Sequence, residues 1–185
     1  IIKKLLDAWF IKIKIDIILP VPSSHNNILK IAQLLSNKLN ITIGNNLARK
    51  RISGKMDCNF VCAIHPKAII SEFVKMGKGT VVMAGAILNV DVLLGEHCII
   101  NTGSVVDHDC IIGDYVHISP NATLAGGVVI GEGTHVGIGA SIIQGIKIGK
   151  WVTIGAGSVI LRDIPDFAVV VGVPGNIIKY NSYDD

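Results

Sequence analysis

A strict six-residue period runs through this chain from Ile64 onward and leaves little choice of architecture. Stepping by six, one reads Ile64, Ile70, Met76, Val82, Leu88, Leu94, Ile100, Val106, Ile112, Ile118, Leu124, Ile130, Val136, Ile142, Ile148, Ile154 and Ile160, seventeen positions that are all aliphatic. Four residues after each comes a second series, from Ala68 and Val74 through Cys98, Ser104 and Cys110 to Ser158 and Ile164, confined to small or β-branched types. Neither an amphipathic helix nor a β-sandwich holds such a period over about a hundred residues without an insertion. The pattern predicts a mainly β protein, a left-handed parallel β-helix, in which Cys98 and Cys110 are small inward plugs.

A second period sets the coil. Gly77, Gly95, Gly113, Gly131 and Gly149 recur every eighteen residues, as do Gly85, Gly103, Gly139 and Gly157, with Asn121 in the remaining place of that series. Three hexads therefore make one turn of a prism. Glycine at a fixed corner is expected to supply backbone angles that other residues reach only with strain, and asparagine is the next most tolerant residue. Coils stacked about 4.8 Å apart give a prism on the order of 27 Å tall. With 17% charged and 5% aromatic residues and 20 glycines among 185 residues, the core must be built from small and β-branched aliphatics. Prisms of this kind cover their flat faces by packing around a three-fold axis, so a homotrimer is expected.

The repeat bounds the domains. Residues 1–58 lack it and read as a short β-α-β segment: the alternating strand IKIKIDIIL, a helix over Ile28 to Leu39 capped from Ser24 to Asn27, then ITIGNN. The run Arg49, Lys50, Arg51 and Lys55 is read as a solvated linker, since no Gly-rich cradle accompanies it. Residues 59–165 form the β-helix domain. Asp163-Ile164-Pro165-Asp166 halts the repeat, and residues 166–185 are expected to fold back on the prism as a tail.

Charge and hydropathy exclude several classes of function. A net charge of +3 with scattered lysines makes no stripe for nucleic acid. The apolar N-terminus is interrupted by Lys3, Lys4, Asp7, Lys12, Lys14 and Asp16 too often for a membrane span, and it lacks a signal peptide's uninterrupted apolar stretch. A cytoplasmic protein without membrane insertion is expected. The chain begins at Ile1 rather than Met, which suggests an upstream piece or a fusion. Cys58, Cys62, Cys98 and Cys110 form no double pair of the zinc type and are read as free thiols.

Register sorts the six histidines. His25 precedes the predicted helix as a cap, and His65, beside Pro66, belongs to the first turn. His97 and His135 fall in outward slots where solvated side chains are ordinary. That leaves His108, flanked by Asp107 and Asp109, and His117. A carboxylate bonded to one imidazole nitrogen fixes the tautomer and strengthens the other as a proton acceptor, which is what acyl transfer to an amine or hydroxyl requires. Adjacent side chains on a straight strand point apart, so Asp109 can serve His108 only if the pair lies at a corner.

The stretches IHPKAIIS, INTGSVVDHDCIIGDYVHISP, GIGASIIQGIKIG, IGAGSVILRDIPD and VVGVPG, in this order, resemble the sugar O- and N-acyltransferases of the sialic-acid O-acetyltransferase and bacillosamine-pathway UDP-amino-sugar N-acetyltransferase type. The resemblance runs from about Phe60 to Lys179. It implies transfer of an acetyl group from acetyl-CoA to an amine or hydroxyl of a sugar or nucleotide sugar, with no metal. By the same resemblance His108 is the general base, Asp109 raises its basicity and His117 contacts acetyl-CoA. CoA is implied to lie between neighbouring prisms, along Gly126, Ile138, Ala156 and the Val173-Pro174 tail. Asp109 stands where the family often has glutamate, and Gly175 where it usually has alanine.

Residues 1–58 depart from that family, which carries a Gly-rich nucleotide loop, because they contain no G-x-G-x-x-G. DIILPVPSS and IAQLLSNKLNI instead weakly resemble a phosphoribosyltransferase fragment lacking its acidic loop. Two other classes use the same prism. A γ-class carbonic-anhydrase-like zinc enzyme needs a close histidine pair and a third ligand, whereas His108 and His117 are nine residues apart. The other is a non-catalytic assembly or binding module.

Overall fold

Each hexad supplies a two-residue strand, whose second side chain points inward, and a turn that brings the next face into line. The computed structural model describes residues 45–55, 57 and 59–182. Within them the hexads wind through three flat faces. Face A holds β1 (Ala63–Ile64), β4 (Val81–Val82), β7 (Ile99–Ile100), β10 (His117–Ile118), β13 (His135–Val136) and β16 (Thr153–Ile154). Face B holds β2 (Ile69–Ile70), β5 (Ile87–Leu88), β8 (Val105–Val106), β11 (Thr123–Leu124), β14 (Ser141–Ile142) and β17 (Val159–Ile160). Face C holds β3 (Lys75–Met76), β6 (Leu93–Leu94), β9 (Ile111–Ile112), β12 (Val129–Ile130) and β15 (Lys147–Ile148). These strands pair in parallel with the equivalent ones a coil away, so that Ile100 lies beside Ile118 and Ile118 beside Val136. The architecture is the left-handed parallel β-helix that the repeat predicts.

In-register stacking makes each slot of the hexad a column. From Val82 to Ile160 the inward aliphatics are at most 6% exposed. Each such side chain contributes about 1.5–3 kcal/mol of burial. Ile70 and Met76 are half-buried and Ile64 is 38% exposed, because the first coil has a stacked neighbour on one side only. The plug column is buried from Thr80 to Ile164. Its polar members turn to corner carbonyls: Thr80 Oγ1 donates to Gly95 O at 2.9 Å, Thr134 Oγ1 to Gly149 O at 2.8 Å and Cys98 Sγ to Gly113 O at 3.1 Å.

Glycine serves two different needs, and one of them differs from expectation. The backbone adopts positive φ at every sixth residue from Gly79 to Gly157, including Gly85, Gly103, Gly139 and Asn121 (φ 56°) as predicted, but also Asp91, His97, Asp109, Tyr115 and Trp151. Gly77, Gly95, Gly113, Gly131 and Gly149 do not share this conformation. They are glycine because coils touch there: a Cβ on Gly77 would lie 2.6 Å from Glu96 N, and one on Gly131 2.6 Å from the Gly149 carbonyl carbon.

At the N-terminal side, the predicted helix over Ile28 to Leu39, the strand before it, His25 and residues 41–44 of ITIGNN lie outside the described residues, while Asn45 and Asn46, read as the end of that last segment, instead cap and open a helix. The basic run is not a solvated linker throughout. Asn46–Ser53 form helix α1, capped by Asn45, whose side chain accepts from Ala48 N at 2.8 Å. The helix lies along the corner between faces C and A. There Asn46 Nδ2 donates to Gly133 O and Thr134 O at 2.9 and 3.2 Å, while Arg49 donates to His97 O and Tyr115 O at 2.9 and 2.6 Å. Arg49 is fully buried, because its guanidinium bridges corner carbonyls one coil apart; burial lowers its pKa to about 10, so it stays charged at neutral pH. Lys50 pairs with Glu132 at 2.6 Å, whereas Arg51 and Lys55 are exposed. His97 corrects a second expectation. It is not solvated but 2% exposed, stacked on Tyr115 at 5.2 Å and met edge-on by Phe60 at 4.5 Å.

At the other end Ile164 bridges to Ile148, ending the hexads. Strand β18 (Ala168–Val171) then adds to β16 in parallel, and β19 (Asn176–Tyr180) returns antiparallel to β18.

Candidate active site

His108 sits at a corner because the hexad turns there, between β8 on face B and β9 on face C. Asp109 takes the left-handed conformation at φ 58°, which swings its carboxylate to the side of the preceding ring. His108 Nδ1 and Asp109 Oδ2 are 2.7 Å apart. Asp107 holds the backbone of the pair: its Oδ1 accepts from His108 N at 2.8 Å and from Asn89 Nδ2 at 2.7 Å. Asn89 was not singled out from the sequence, although it stands one coil, eighteen residues, before Asp107. The hydrogen bond to Asp109 foremost, then the charge of Asp107, raises the His108 pKa above its ordinary value. Asp107 is lowered by the hydrogen bonds from Asn89 and from His108 N. With Nδ1–H donating to Asp109, the Nε2 of this exposed ring carries the lone pair and is chemically able to accept a proton.

Gly126 forms the floor under this ring. A Cβ there would lie 2.5 Å from both His108 Cε1 and Nε2, so only glycine leaves space for the imidazole in this position. The corner thus gathers His108, Asp109 and Gly126.

The other predicted site residues lie elsewhere on the prism. His117 projects from β10 on face A, across the prism from the corner that carries His108. Its Nε2 accepts from Asn101 Nδ2 at 3.1 Å, and its ring stacks parallel on His135 with centroids 4.9 Å apart. His135 points outward as predicted but is half-buried rather than solvated, because it lies in this stack; its Nε2 is 2.8 Å from Ser119 Oγ. Burial foremost lowers its pKa and keeps it neutral. Ile138 and Ala156 stand eighteen residues apart at the corner between faces A and B, but β18 pairs with β16 at an offset of sixteen residues, so Pro174 is not their coil equivalent and lies in the turn that follows β18. Gly157 N donates to Ile138 O at 2.8 Å between the coils, and Gly175 N donates to Val159 O of β17 at 2.8 Å. Ile138 is 59% and Val173 71% exposed. Gly175 has a local reason, since a Cβ there would lie 2.7 Å from Ile160 Cδ1. One chain therefore carries two groups, separated by face B. His65 is structural as predicted, its Nδ1 accepting from Lys67 N at 3.1 Å. Among the described residues no cluster of three or more His, Cys, Asp or Glu is placed to hold a metal ion, and no helix is long and apolar enough to cross a membrane.

The prism of hexads is the fold of a class of bacterial transferases. The bacterial transferase hexapeptide (six repeats) matches residues 91–126 and 127–162. The acetyltransferase domain of PglB from Neisseria gonorrhoeae, solved with acetyl-CoA, is 40% identical, with TM-score 0.72 over 74% of this chain and 68% of that one. A histidine-to-alanine variant of GDP-perosamine N-acetyltransferase from Caulobacter crescentus, solved with CoA and GDP-perosamine, is 44% identical, with TM-score 0.73 over 74% and 67%. WeeI from Acinetobacter baumannii is 28% identical, with TM-score 0.72 over 74% and 68%. The chain belongs to the hexapeptide-repeat acetyltransferase family, in the branch of PglB and perosamine N-acetyltransferase. No curated protein sequence matches it.

Proposed function

We propose that this chain transfers an acetyl group from acetyl-CoA to the amine of a nucleotide-linked amino sugar, with His108 as general base. The observation that carries the reading is the 2.7 Å contact between His108 and Asp109 at an open corner. Relatives at 40% and 44% identity support it, one solved with acetyl-CoA and the other with CoA and GDP-perosamine. The amine lone pair attacks the thioester carbonyl while His108 Nε2 takes the amine proton. The tetrahedral intermediate collapses with cleavage of the carbon–sulfur bond, and the proton held by His108 goes to the departing thiolate. Backbone amides at the corners can meet the carbonyl oxygen as it gains charge. No covalent enzyme intermediate is needed.

The working unit in this reading is a homotrimer. His108, Asp109 and Gly126 lie on one edge of the prism, while His117, Ile138, Ala156, Val173 and Pro174 lie on face A and its border with face B. Two neighbouring prisms could bring the two groups together around CoA. Apolar outward residues support this packing: Ile69, Phe73, Val90, Leu93 and Ile111 are each at least 39% exposed on faces B and C and the corner between them. Incubation with acetyl-CoA and a panel of nucleotide-linked amino sugars and sialic acids, following free thiol, tests the function. Thiol release should appear with an amino sugar and vanish when its amine is already acetylated. Release with a sialic acid alone would overturn the choice of amine.

A further inference from the structure

The main chain of the His108 corner is tied on most sides to neighbouring coils. Asp107 N donates to Leu124 O at 3.0 Å, Asp109 N to Val90 O at 3.1 Å and Gly127 N to His108 O at 2.9 Å. The amide of His108 itself is held by a side chain instead. Asp107 Oδ1 accepts from it at 2.8 Å, and the same oxygen accepts from Asn89 Nδ2 at 2.7 Å. The direction of the peptide that carries the imidazole therefore depends on how one carboxylate is turned. We infer that Asn89 is a positioning residue for the acyl-transfer base, acting on His108 through the Asp107 carboxylate; the inference rests on the acetyltransferase reading above.

Stacking explains why Asn89 can do this. Ile87 lies beside Val105 and Leu88 beside Val106, so Asn89 and Asp107 occupy the same slot in successive coils. Asn89 N donates to Val106 O at 3.0 Å, which fixes the backbone beneath a short side chain. The same slot of the following coil holds Ala125, whose methyl group can donate nothing to Asp107, so the carboxylate is steered from the Asn89 side. An amide also orients a carboxylate without cancelling its charge, as a lysine in this slot would. That charge matters at the ring, because Asp107 comes second only to the hydrogen bond from Asp109 in raising the His108 pKa. The hydrogen bond from Asn89 is in turn the foremost cause that lowers the pKa of Asp107 and keeps it ionised. Asn89 thus bears on both the aim of the base and its strength. Both charges that raise the ring pKa come from the corner itself; the adjoining Asn89, Val90, Ala125 and Gly126 bring none, and Asp91 stands one coil before Asp109.

The test combines steady-state kinetics with an NMR titration of the His108 ring in the full chain, the signal being assigned by its loss in His108→Ala. Asn89→Ala should lower kcat about tenfold through a small misplacement of the ring. Melting temperature and acetyl-CoA affinity should stay as in wild type. Once the Asp107 carboxylate can swing away, the ring pKa should fall, and the acid limb of kcat/KM should move to lower pH with it. Asn89→Asp is the second variant: it keeps the shape, adds a negative charge and has no N–H to donate. It should lose as much kcat as Asn89→Ala while the ring pKa stays at or above the wild-type value, a divergence that a merely structural role would not produce. In an Asp107→Ala background Asn89→Ala should change nothing further. Wild-type kcat and ring pKa in Asn89→Ala, or full additivity in the double variant, would overturn the inference. Failure of the acetyltransferase reading looks different: the ring pKa responds to Asn89, yet no amino sugar releases thiol from acetyl-CoA even with the wild-type chain. Failure of the inference alone leaves a transfer that needs His108 and is indifferent to Asn89.

Discussion

The imidazole of His108 is held from three directions, and each hold has a separate consequence. His108→Ala should lower kcat by about 10²–10⁴-fold with CoA affinity nearly unchanged, measured by thiol release and by calorimetry. Asp109 raises the ring's pKa, so the rate should fall on the acid side as the ring protonates, with the limb of kcat/KM lying above the ordinary imidazole value of 6.5. Asp109→Asn should move that limb to lower pH and reduce the plateau by less than loss of the ring does. Gly126→Ala should cost about 10²-fold in kcat, because the new methyl displaces the ring and a misplacement of about 1 Å is worth that much. Its melting temperature should hardly move, since the displaced ring is exposed. The contact of His108 with Asp109 at a corner was legible in the sequence from charge and chemistry. His97 was not, because the hexad marks its slot as outward and cannot show that Phe60 and Tyr115 cover it.

Among the elements, α1 contributes most that the sequence concealed. It has no apolar stripe of helical period, and it docks through Asn46 and Arg49 onto corner carbonyls rather than through a hydrophobic face. Only the cap at Asn45 and the turn at Gly54 announce it. Arg49→Ala should therefore destabilise the protein by about 2–4 kcal/mol, read from denaturant unfolding, as two buried carbonyls lose their donor. Arg49→Lys should not restore the stability, because an ammonium cannot span carbonyls on two coils as a guanidinium fork does. The glycine columns teach a related lesson. Their eighteen-residue period was plain, but one column answers to backbone angle and the other to contact between coils, and periodicity alone carries no sign of which. Asn121→Val should cost about 1–2 kcal/mol at φ 56°, while Asn121→Gly should be nearly neutral.

At the scale of the whole molecule the prism was written in the sequence almost completely, because every coil repeats one set of local rules and errors cannot accumulate between distant segments. What the repeat does not encode is how prisms meet. Mixing His108→Ala and His117→Ala chains under conditions of subunit exchange should restore part of the activity, since some interfaces regain both intact residues. Exchanged mixtures without recovery would place both residues' work within one chain. The separation of His108 from His117 by the body of the prism also bears on how the enzyme behaves on dilution. If turnover belongs to the space between two chains, a lone chain has none. Specific activity measured with both substrates saturating should then stay flat at high protein concentration and decline steeply once the assembly dissociates, so that an assay run at nanomolar enzyme reports the association equilibrium as much as the chemistry.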